Sequence, residues 1–387
     1  MSEKKELEIY IHIPFCVRKC QYCDFLSGPA DESTKEQYME ALCREIEEKS
    51  SLYQDYKVTS IFFGGGTPTA VEAEALCRVL RLVKERFDVR PEAEITIEMN
   101  PGTVTKDALR LYKEAGINRV SLGLQSTHNK ELQRLGRIHT YEQFLETYEQ
   151  VREAGFENVN IDLMSALPGQ DLESYKASLD KVINLNPPPE HISAYSLIVE
   201  EGTPFYEAYE QGLLDLPSED VEREMYRLTK AYLRERGYER YEISNYAKPG
   251  RECVHNIGYW QRKNYLGFGI GAASLIENQR FSNEESLQKY LENPCGCESN
   301  RQVLSVVEQM EEYLFLGLRM CRGVSVKGFY ESFGKNLEQV YGQVIEKHIK
   351  NGLLEQVVYD KEVWFRLTEA GMDVSIYVMA DFLEPVI

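Results

Sequence analysis

Residues 12–25, HIPFCVRKCQYCDF, set Cys16, Cys20 and Cys23 within eight positions. Thiols this close together favour a soft metal. A tetrahedral zinc ion takes four ligands, and His12 could complete a Cys3His set as H-x3-C-x3-C-x2-C. His12, however, sits before Ile13, Pro14 and Phe15 at the end of an expected strand, where residues advance about 3.3 Å each. That spacing carries it away from a tight loop around Cys20. An iron–sulfur cluster held by three cysteines suits both the loop length and the soft ligands. One iron is then left without a protein ligand, open to a small molecule. Among the other cysteines, Cys43 and Cys77 fall in expected helices as core residues, and Cys253 also reads as core. Cys295 and Cys297, in NPCGCESN, are either a second thiol site or an incidental loop pair. With nine cysteines and no secretion signal, the thiols are expected to stay reduced.

More reactive side chains follow at intervals. In GGGTP (Gly64–Pro68) the glycines let backbone N–H and C=O groups approach a ligand closely, although a GGG turn alone is equally a strand-to-helix bend. Glu98 in IEMNP, Gln125 in LGLQS and Asp162 in NIDLM lie in or at the end of apolar runs, and Arg137 follows in QRLGRIHT. The elements that must position them are six strand candidates: EIYIHI (8–13), VTSIFF (58–63), EITIEM (94–99), RVSLGL (119–124), NVNIDLM (158–164) and HISAYSLI (191–198). Helix-length amphipathic segments such as YMEALCREIEEK and AEALCRVLRLVKERF lie between them. This alternation predicts parallel βα units. EAGINRVSLGLQ and EAGFENVNIDLM repeat one construction, a helix that stops at Gly116 or Gly155 and a strand within three residues. Polar side chains at successive strand ends are what a barrel-mouth ligand site requires. Six units, where eight close a standard barrel, predict an α/β fold with a partial (β/α)6 TIM-like barrel.

After residue 200 the pattern changes. A helix at about 218–236 leads to a strand in YEISNYA and then to CVHNIGYWQRKNYLGFGIGAASL. Helices at about 304–319 and 335–350 precede GLLEQVVYDKEVWFRLTEAG, which fits a β-hairpin followed by a helix start at Thr368. This end resembles a winged-helix module, so the expected domains are 1–245, the barrel, and 246–387, a smaller α+β unit. The formal charge of −19, from 44 Lys and Arg against 63 Asp and Glu, repels phosphate backbones. Nucleic acid is therefore not an expected partner, and the C-terminal unit is expected to act as a cap or substrate cover. No apolar run approaches the ~18–20 residues of a membrane span, and MSEKKELEIYIHIPF lacks the features of a signal peptide. A cytoplasmic location is expected.

C-x3-C-x2-C with an aromatic residue, Tyr22, before its third cysteine resembles the signature of the radical S-adenosylmethionine (SAM) enzymes. The resemblance implies a [4Fe–4S] cluster on Cys16, Cys20 and Cys23 whose open iron chelates the amino and carboxylate groups of SAM. One electron from that cluster cleaves SAM to a 5′-deoxyadenosyl radical. The cofactor would carry the chemistry, while the protein orients it and excludes oxygen. The ordered set Y-I-H-I-P-F-C, GGGTP, E-x-N-P, S-x-G-x-Q-S, Q-R-L-G-R and I-D-L-x-x-x-L-P-G-Q is similar to the oxygen-independent coproporphyrinogen III oxidase family. That likeness implies that Tyr10, Tyr22, Gly65, Gly66, Thr67, Glu98, Gln125, Arg137 and Asp162 line the SAM site, some of them toward a second SAM.

Two departures point away from the family's dehydrogenase. Phe25 stands where that member has a fourth cysteine, and nine residues precede Tyr10 where it carries a longer arm. Both features match the family's heme-chaperone branch, as does HNIGYW at 255–260, which is similar to that branch's H-N-x-x-Y-W motif. The resemblance makes His255, Asn256, Tyr259 and Trp260 heme candidates: an imidazole for iron and flat rings for the macrocycle. On chemistry alone, His255 also reads as a hydrogen-bonded loop histidine beside buried aromatics. Ala273 in GAASL departs from the GAHS-type continuation and leaves no histidine there. The expectation is a protein that binds heme and passes it to an unidentified acceptor, with a membrane-associated acceptor and a homodimer left open. The alternatives are oxidative decarboxylation of coproporphyrinogen III and radical chemistry on another tetrapyrrole, such as heme ring opening.

Overall fold

A computed structural model describes residues 4–296 and 298–383, so Cys297 lies outside the described residues. The six strand candidates are present as β1 (Lys5–Ile13), β2 (Tyr56–Gly65), β3 (Asp88–Met99), β4 (Arg119–Gln125), β5 (Val159–Ser165) and β6 (His191–Ser196). Each pairs in parallel with the next. Helices α1 (Glu32–Ser50), α2 (Ala73–Arg86), α3 (Lys106–Ala115), α4 (Asn129–Arg134), α5 (Tyr141–Glu153) and α6 (Leu172–Ile183) make the crossovers. Asp31, Thr105, Thr140 and Asp171 start four of them, each side chain accepting a backbone N–H of the first turn. Side-chain alternation then decides what meets the helices. In β1, Leu7, Ile9, Ile11 and Ile13 are fully buried in the same core as Tyr38 and Leu42 of α1. Glu8, Tyr10 and His12 point the other way, into the barrel.

Beyond β6 come α7 (Pro204–Glu210), α8 (Glu219–Arg234), β7 (Glu239–Arg240) and β8 (Asn245–Ala247). YEISNYA is not one continuous strand. The Glu242 carboxylate accepts from Ser244 N–H and the Asn245 amide, which bends the chain before β8. HNIGYW forms α9 (Val254–Trp260). The next strand, β9 (Tyr265–Phe268), lies parallel to β1 on its free edge. β10 (Ala273–Ile276), β11 (Gln279–Asn283), α10 (Leu287–Glu292) and β12 (Glu298–Val303) follow, and these strands continue the sheet in antiparallel fashion. The sheet order is β12-β11-β10-β9-β1-β2-β3-β4-β5-β6-β8-β7, an open, partial barrel with antiparallel edges.

The expected division at residues 245/246 falls inside this sheet, because β9 finds its partner in β1 rather than in the chain's last third. A second hydrophobic core begins at Met310 and runs to Phe382. It is built by α11 (Val306–Gly317), β13 (Val324–Ser325), α12 (Val326–Phe333), α13 (Leu337–Lys350), β14 (Leu354–Tyr359), β15 (Glu362–Leu367), α14 (Glu369–Asp373) and α15 (Ser375–Ala380). We propose that the smaller unit starts near residue 304. The expected hairpin is β14–β15, turned by Asp360 and Lys361 with φ of 48° and 69°. Positive φ at both turn residues matches the right-handed twist of the two strands.

Candidate functional site

The three cysteines line one cavity of about 510 Å³ at the C-terminal ends of the barrel strands. Tyr22, Gly65, Gly66, Thr67, Glu98, Gln125, Arg137 and Asp162 line it as well. The cysteine loop is held at its neck and at its tip. Cys16 N–H donates to Gly28 O at 3.0 Å, and Gly28 N–H to Pro14 O at 2.9 Å. Farther out, Gln21 N–H donates to Leu135 O and Phe205 N–H to Gln21 O, both at 3.0 Å. The glycine run docks against the start of the loop: Gly66 N–H donates to Ile13 O and Thr67 N–H to Phe15 O. A Cβ on Gly66 would fall 2.7 Å from Phe15 O, so any side chain there would push the loop off β2.

Two of the three sulfurs have polar partners. The Thr67 hydroxyl donates to Cys16 Sγ at 3.4 Å, and Arg137 Nη1 donates to Cys20 Sγ at 3.8 Å. Burial pushes the Cys23 thiol up, and the neighbouring Cys20 and Cys16 add to the effect. Three thiols in one loop give up their protons together only with positive charge among them, which a metal cluster supplies. The donor set therefore fits an iron–sulfur cluster. It does not fit the Cys3His zinc alternative, because His12 Nε2–H donates to Leu26 O at 2.9 Å and Nδ1 accepts from the Tyr10 hydroxyl at 3.0 Å. Among the described residues, no group of three His, Cys, Asp or Glu side chains is arranged around a single metal ion.

The opposite wall carries carboxyls. Glu98 is pushed up to about 8, first by burial and then by the charge of Asp162, against the Gly65 N–H at 3.2 Å and Arg119. Asp162 is raised by burial too, offset by hydrogen bonds from Asn160, 2.7 Å away, and Ser193. A cation entering the cavity would relieve both groups. Arg137 is fixed by Asn100 Oδ1 at 2.6 Å and by Gly123 O. Gln125 sits at φ 71°, where β4 shifts register against β5. The bulge aims its side chain so that Oε1 accepts from the Tyr195 hydroxyl at 3.1 Å. Backbone strain of this kind gathers at ligand sites.

HNIGYW is divided among three places. Asn256 lines the cysteine cavity. His255 is 1% exposed inside the barrel, stacked on Phe62 at 5.1 Å between centroids. Its Nδ1 pairs with the Ser60 hydroxyl at 2.8 Å and its Nε2 with the Tyr259 hydroxyl at 3.1 Å. Burial lowers its pKa to about 3. Both imidazole nitrogens have hydroxyl partners, and His255 and Tyr259 face each other inside the barrel rather than sharing a cavity with Trp260. Trp260 instead lines a second cavity against the C-terminal unit. Helix α9 is anchored by Glu94, whose carboxylate accepts from Val254 N–H and His255 N–H at 3.2 Å and from the Cys253 thiol at 3.4 Å. Gly258 has no room for a side chain, since a Cβ would land 1.9 Å from Glu8 Oε1.

Tyr10 is the one expected SAM-site residue that does not line the cavity. It points into the barrel from β1, below the mouth, beside His12 and Phe62. Conversely, Asn100, Ser193 and Tyr195 line the cavity without having been singled out from sequence. Asn100 had a signal: it is the asparagine of IEMNP, and its amide donates to Thr67 Oγ1 at 2.7 Å.

A partial parallel barrel with three thiols on the loop after its first strand defines a radical SAM protein, and residues 10–182 match the radical SAM superfamily. Residues 304–374 match the HemN C-terminal domain. The chain is 37% identical over 381 residues to the heme chaperone HemW of Lactococcus lactis, covering 98% of each chain. It is 36% identical to the heme chaperone HemW of Bacillus subtilis, covering 97% of this chain and 98% of that one. The chain therefore belongs to the HemW heme chaperone family. Coproporphyrinogen III oxidase (HemN) from Escherichia coli has the same fold, with a TM-score of 0.84 at 24% identity over 98% of this chain and 90% of that one.

Proposed function

We propose that this protein binds heme and hands it to an acceptor protein, with a [4Fe–4S] cluster on Cys16, Cys20 and Cys23 and SAM in the adjoining cavity. The observation that carries this reading is the end-to-end likeness to heme chaperones, which spans both the cysteine cavity and the C-terminal unit. Phe25 supports it: the side chain at the place of the oxidase branch's fourth cysteine is an apolar ring, 61% exposed at the cavity. When bound, the cluster and SAM would supply one-electron chemistry. This chain's own residues do the rest. Thr67 and Arg137 hold the thiolates, Glu98 and Asp162 supply negative charge, and Tyr22 and Met164 help close the wall.

No helix among the described residues is long and apolar enough to cross a membrane. We place the protein in the cytoplasm as a homodimer that meets its acceptor at the membrane. The rival reading, decarboxylation of coproporphyrinogen III, is compatible with the fold shared with the oxidase. One experiment separates them. The cluster is reconstituted anaerobically, heme is added, and the mixture is passed through gel filtration. A heme band should co-elute with the protein, and coproporphyrinogen III supplied with SAM and a reductant should be recovered unchanged. Protoporphyrinogen IX in that mixture would refute the proposal.

A further inference from the structure

Cys20 is reached from two sides. It lines the cofactor cavity and also a separate crevice of about 20 Å³ on the outer side of the cysteine loop. The loop contributes Val17, Arg18 and Cys20 to that crevice, and the turn between α4 and α5 contributes Gly136, Ile138 and His139. Turn and loop are in close contact, since a Cβ on Gly136 would lie 3.0 Å from Gln21 Cγ. Val17 and Ile138 line the crevice but not the cofactor cavity, and they are 61% and 50% exposed, so its apolar rim is open to solvent. Arg18 is exposed and forms no hydrogen bond or ion pair among the described residues. Lys19 beside it donates to Phe25 O at 2.9 Å and has no carboxylate partner among the described residues. In a chain of net charge −19, no Asp or Glu among the described residues lines this crevice. Asp24 is the only acidic residue between Pro14 and Gly28, and it lines the cofactor cavity instead.

A cluster on this loop must receive an electron, and a reductant entering through the cofactor cavity would compete with SAM for the same space. The outer crevice brings a partner to Cys20 from the other side, where Arg137 Nη1 donates to the sulfur at 3.8 Å. Cationic side chains without carboxylate partners, set beside an exposed apolar rim on an otherwise acidic chain, select an acidic partner and steer it to one place. Redox encounters use the smallest of functional protein interfaces, so a patch of this size suffices. We propose that this crevice docks an acidic one-electron carrier protein, with Val17 and Ile138 in apolar contact and Arg18 and Lys19 on carboxylates of the carrier. The carrier is oxidised by one electron and the cluster is reduced by one; no bond forms or breaks and no proton moves. The proposal rests on the cluster reading above and is independent of heme transfer.

The test compares two reductants of opposite charge. The cluster is reconstituted anaerobically in the full chain and in Ile138→Glu and Arg18→Glu, and bound iron is measured in each. Reduction is started either with reduced plant-type [2Fe–2S] ferredoxin, an acidic low-potential carrier, or with the methyl viologen radical cation. Electron paramagnetic resonance of rapidly frozen samples follows the four-iron cluster apart from the carrier's own. Ferredoxin should reduce the wild-type cluster at a rate that falls as salt is raised. In each variant the ferredoxin rate should drop by about tenfold, the loss of steering and of one docking contact. The viologen rate should stay within about twofold of wild type or rise, since the added negative charge attracts a cation. A ferredoxin rate unchanged in both variants would overturn the proposal and leave the crevice to another occupant. Equal slowing with both reductants would also overturn it, because the substitutions would then act on the cluster and not on docking. A wild-type cluster that viologen reduces and ferredoxin does not would overturn it as well. If the wild-type chain retains no iron, the cluster reading itself fails, and the docking site fails with it.

Discussion

Glu98 offers a sharp test of the cofactor cavity. Its carboxyl is held at about 8, against an ordinary 4.5, so near neutral pH most of it is protonated. The groups that set this value are Asp162, the Gly65 N–H and Arg119, and burial outweighs them. SAM is a sulfonium cation, and a cavity that receives it must supply negative charge. Binding should therefore expel the Glu98 proton. The apparent affinity should rise with pH up to about 8 and then level off, falling about tenfold for each pH unit below that value. Without ligand, the sign of the stability effect is the opposite. As pH rises from 4.5 toward 8 only the unfolded chain releases this proton, so Glu98 costs stability across that window and the cost stops growing above it.

The assay is equilibrium dialysis of SAM against the reconstituted protein from pH 6.5 to 9, with bound iron measured at each pH to confirm that the cluster persists. Glu98→Gln should flatten the profile and lower the plateau affinity by about tenfold, the loss of one charge-assisted contact. Asp162→Asn should lower affinity but keep a pH slope from Glu98. A wild-type affinity that is flat or falls with pH would refute the electrostatic argument, and so would a slope that survives in Glu98→Gln.

Replacing Cys16, Cys20 or Cys23 by serine should bring bound iron after reconstitution close to zero, read by iron analysis and by loss of the cluster's visible absorption. Glu94→Gln removes the anion that pairs with buried Arg119 at 3.9 Å and caps Val254 and His255; urea denaturation should show a loss of about 3 kcal/mol. His255 stays neutral in the fold down to about pH 3, whereas the unfolded imidazole takes a proton near 6.5. Its contribution to stability is complete above 6.5 and is lost as pH falls toward 3, so His255→Gln should reduce the acid-side slope of the melting temperature.

The cysteine site was legible because its chemistry is local: three thiols in eight positions meet whatever the rest of the chain does. The strand-end residues were legible for a related reason, since period-two alternation and βα repetition place Glu98, Gln125 and Asp162 on one rim. Depth along a strand was harder to read. Tyr10 and Glu98 both face inward, yet strand stagger leaves Tyr10 in a layer below the cavity, beside His12 and Phe62. Partners distant in sequence were not legible. β9 pairs with β1 across some 250 residues of chain, as in Tyr10 against Gly267, and no pattern in NYLGFGIG announces it. Nor could spacing reveal that Trp260 and Trp364 line one cavity.

The short helix α9 explains why HNIGYW is a motif although its residues share no single site. Asn256 reaches the cysteine cavity, His255 and Tyr259 lock into the barrel interior, and Trp260 forms part of the wall facing the C-terminal unit. A helix of seven residues is held by Glu94 at one end and lies against Glu8 at Gly258 in its middle. The buried, doubly hydrogen-bonded His255 gives that helix its fixed angle. The histidine thereby ties the helix that carries both Asn256 and Trp260 to the barrel interior.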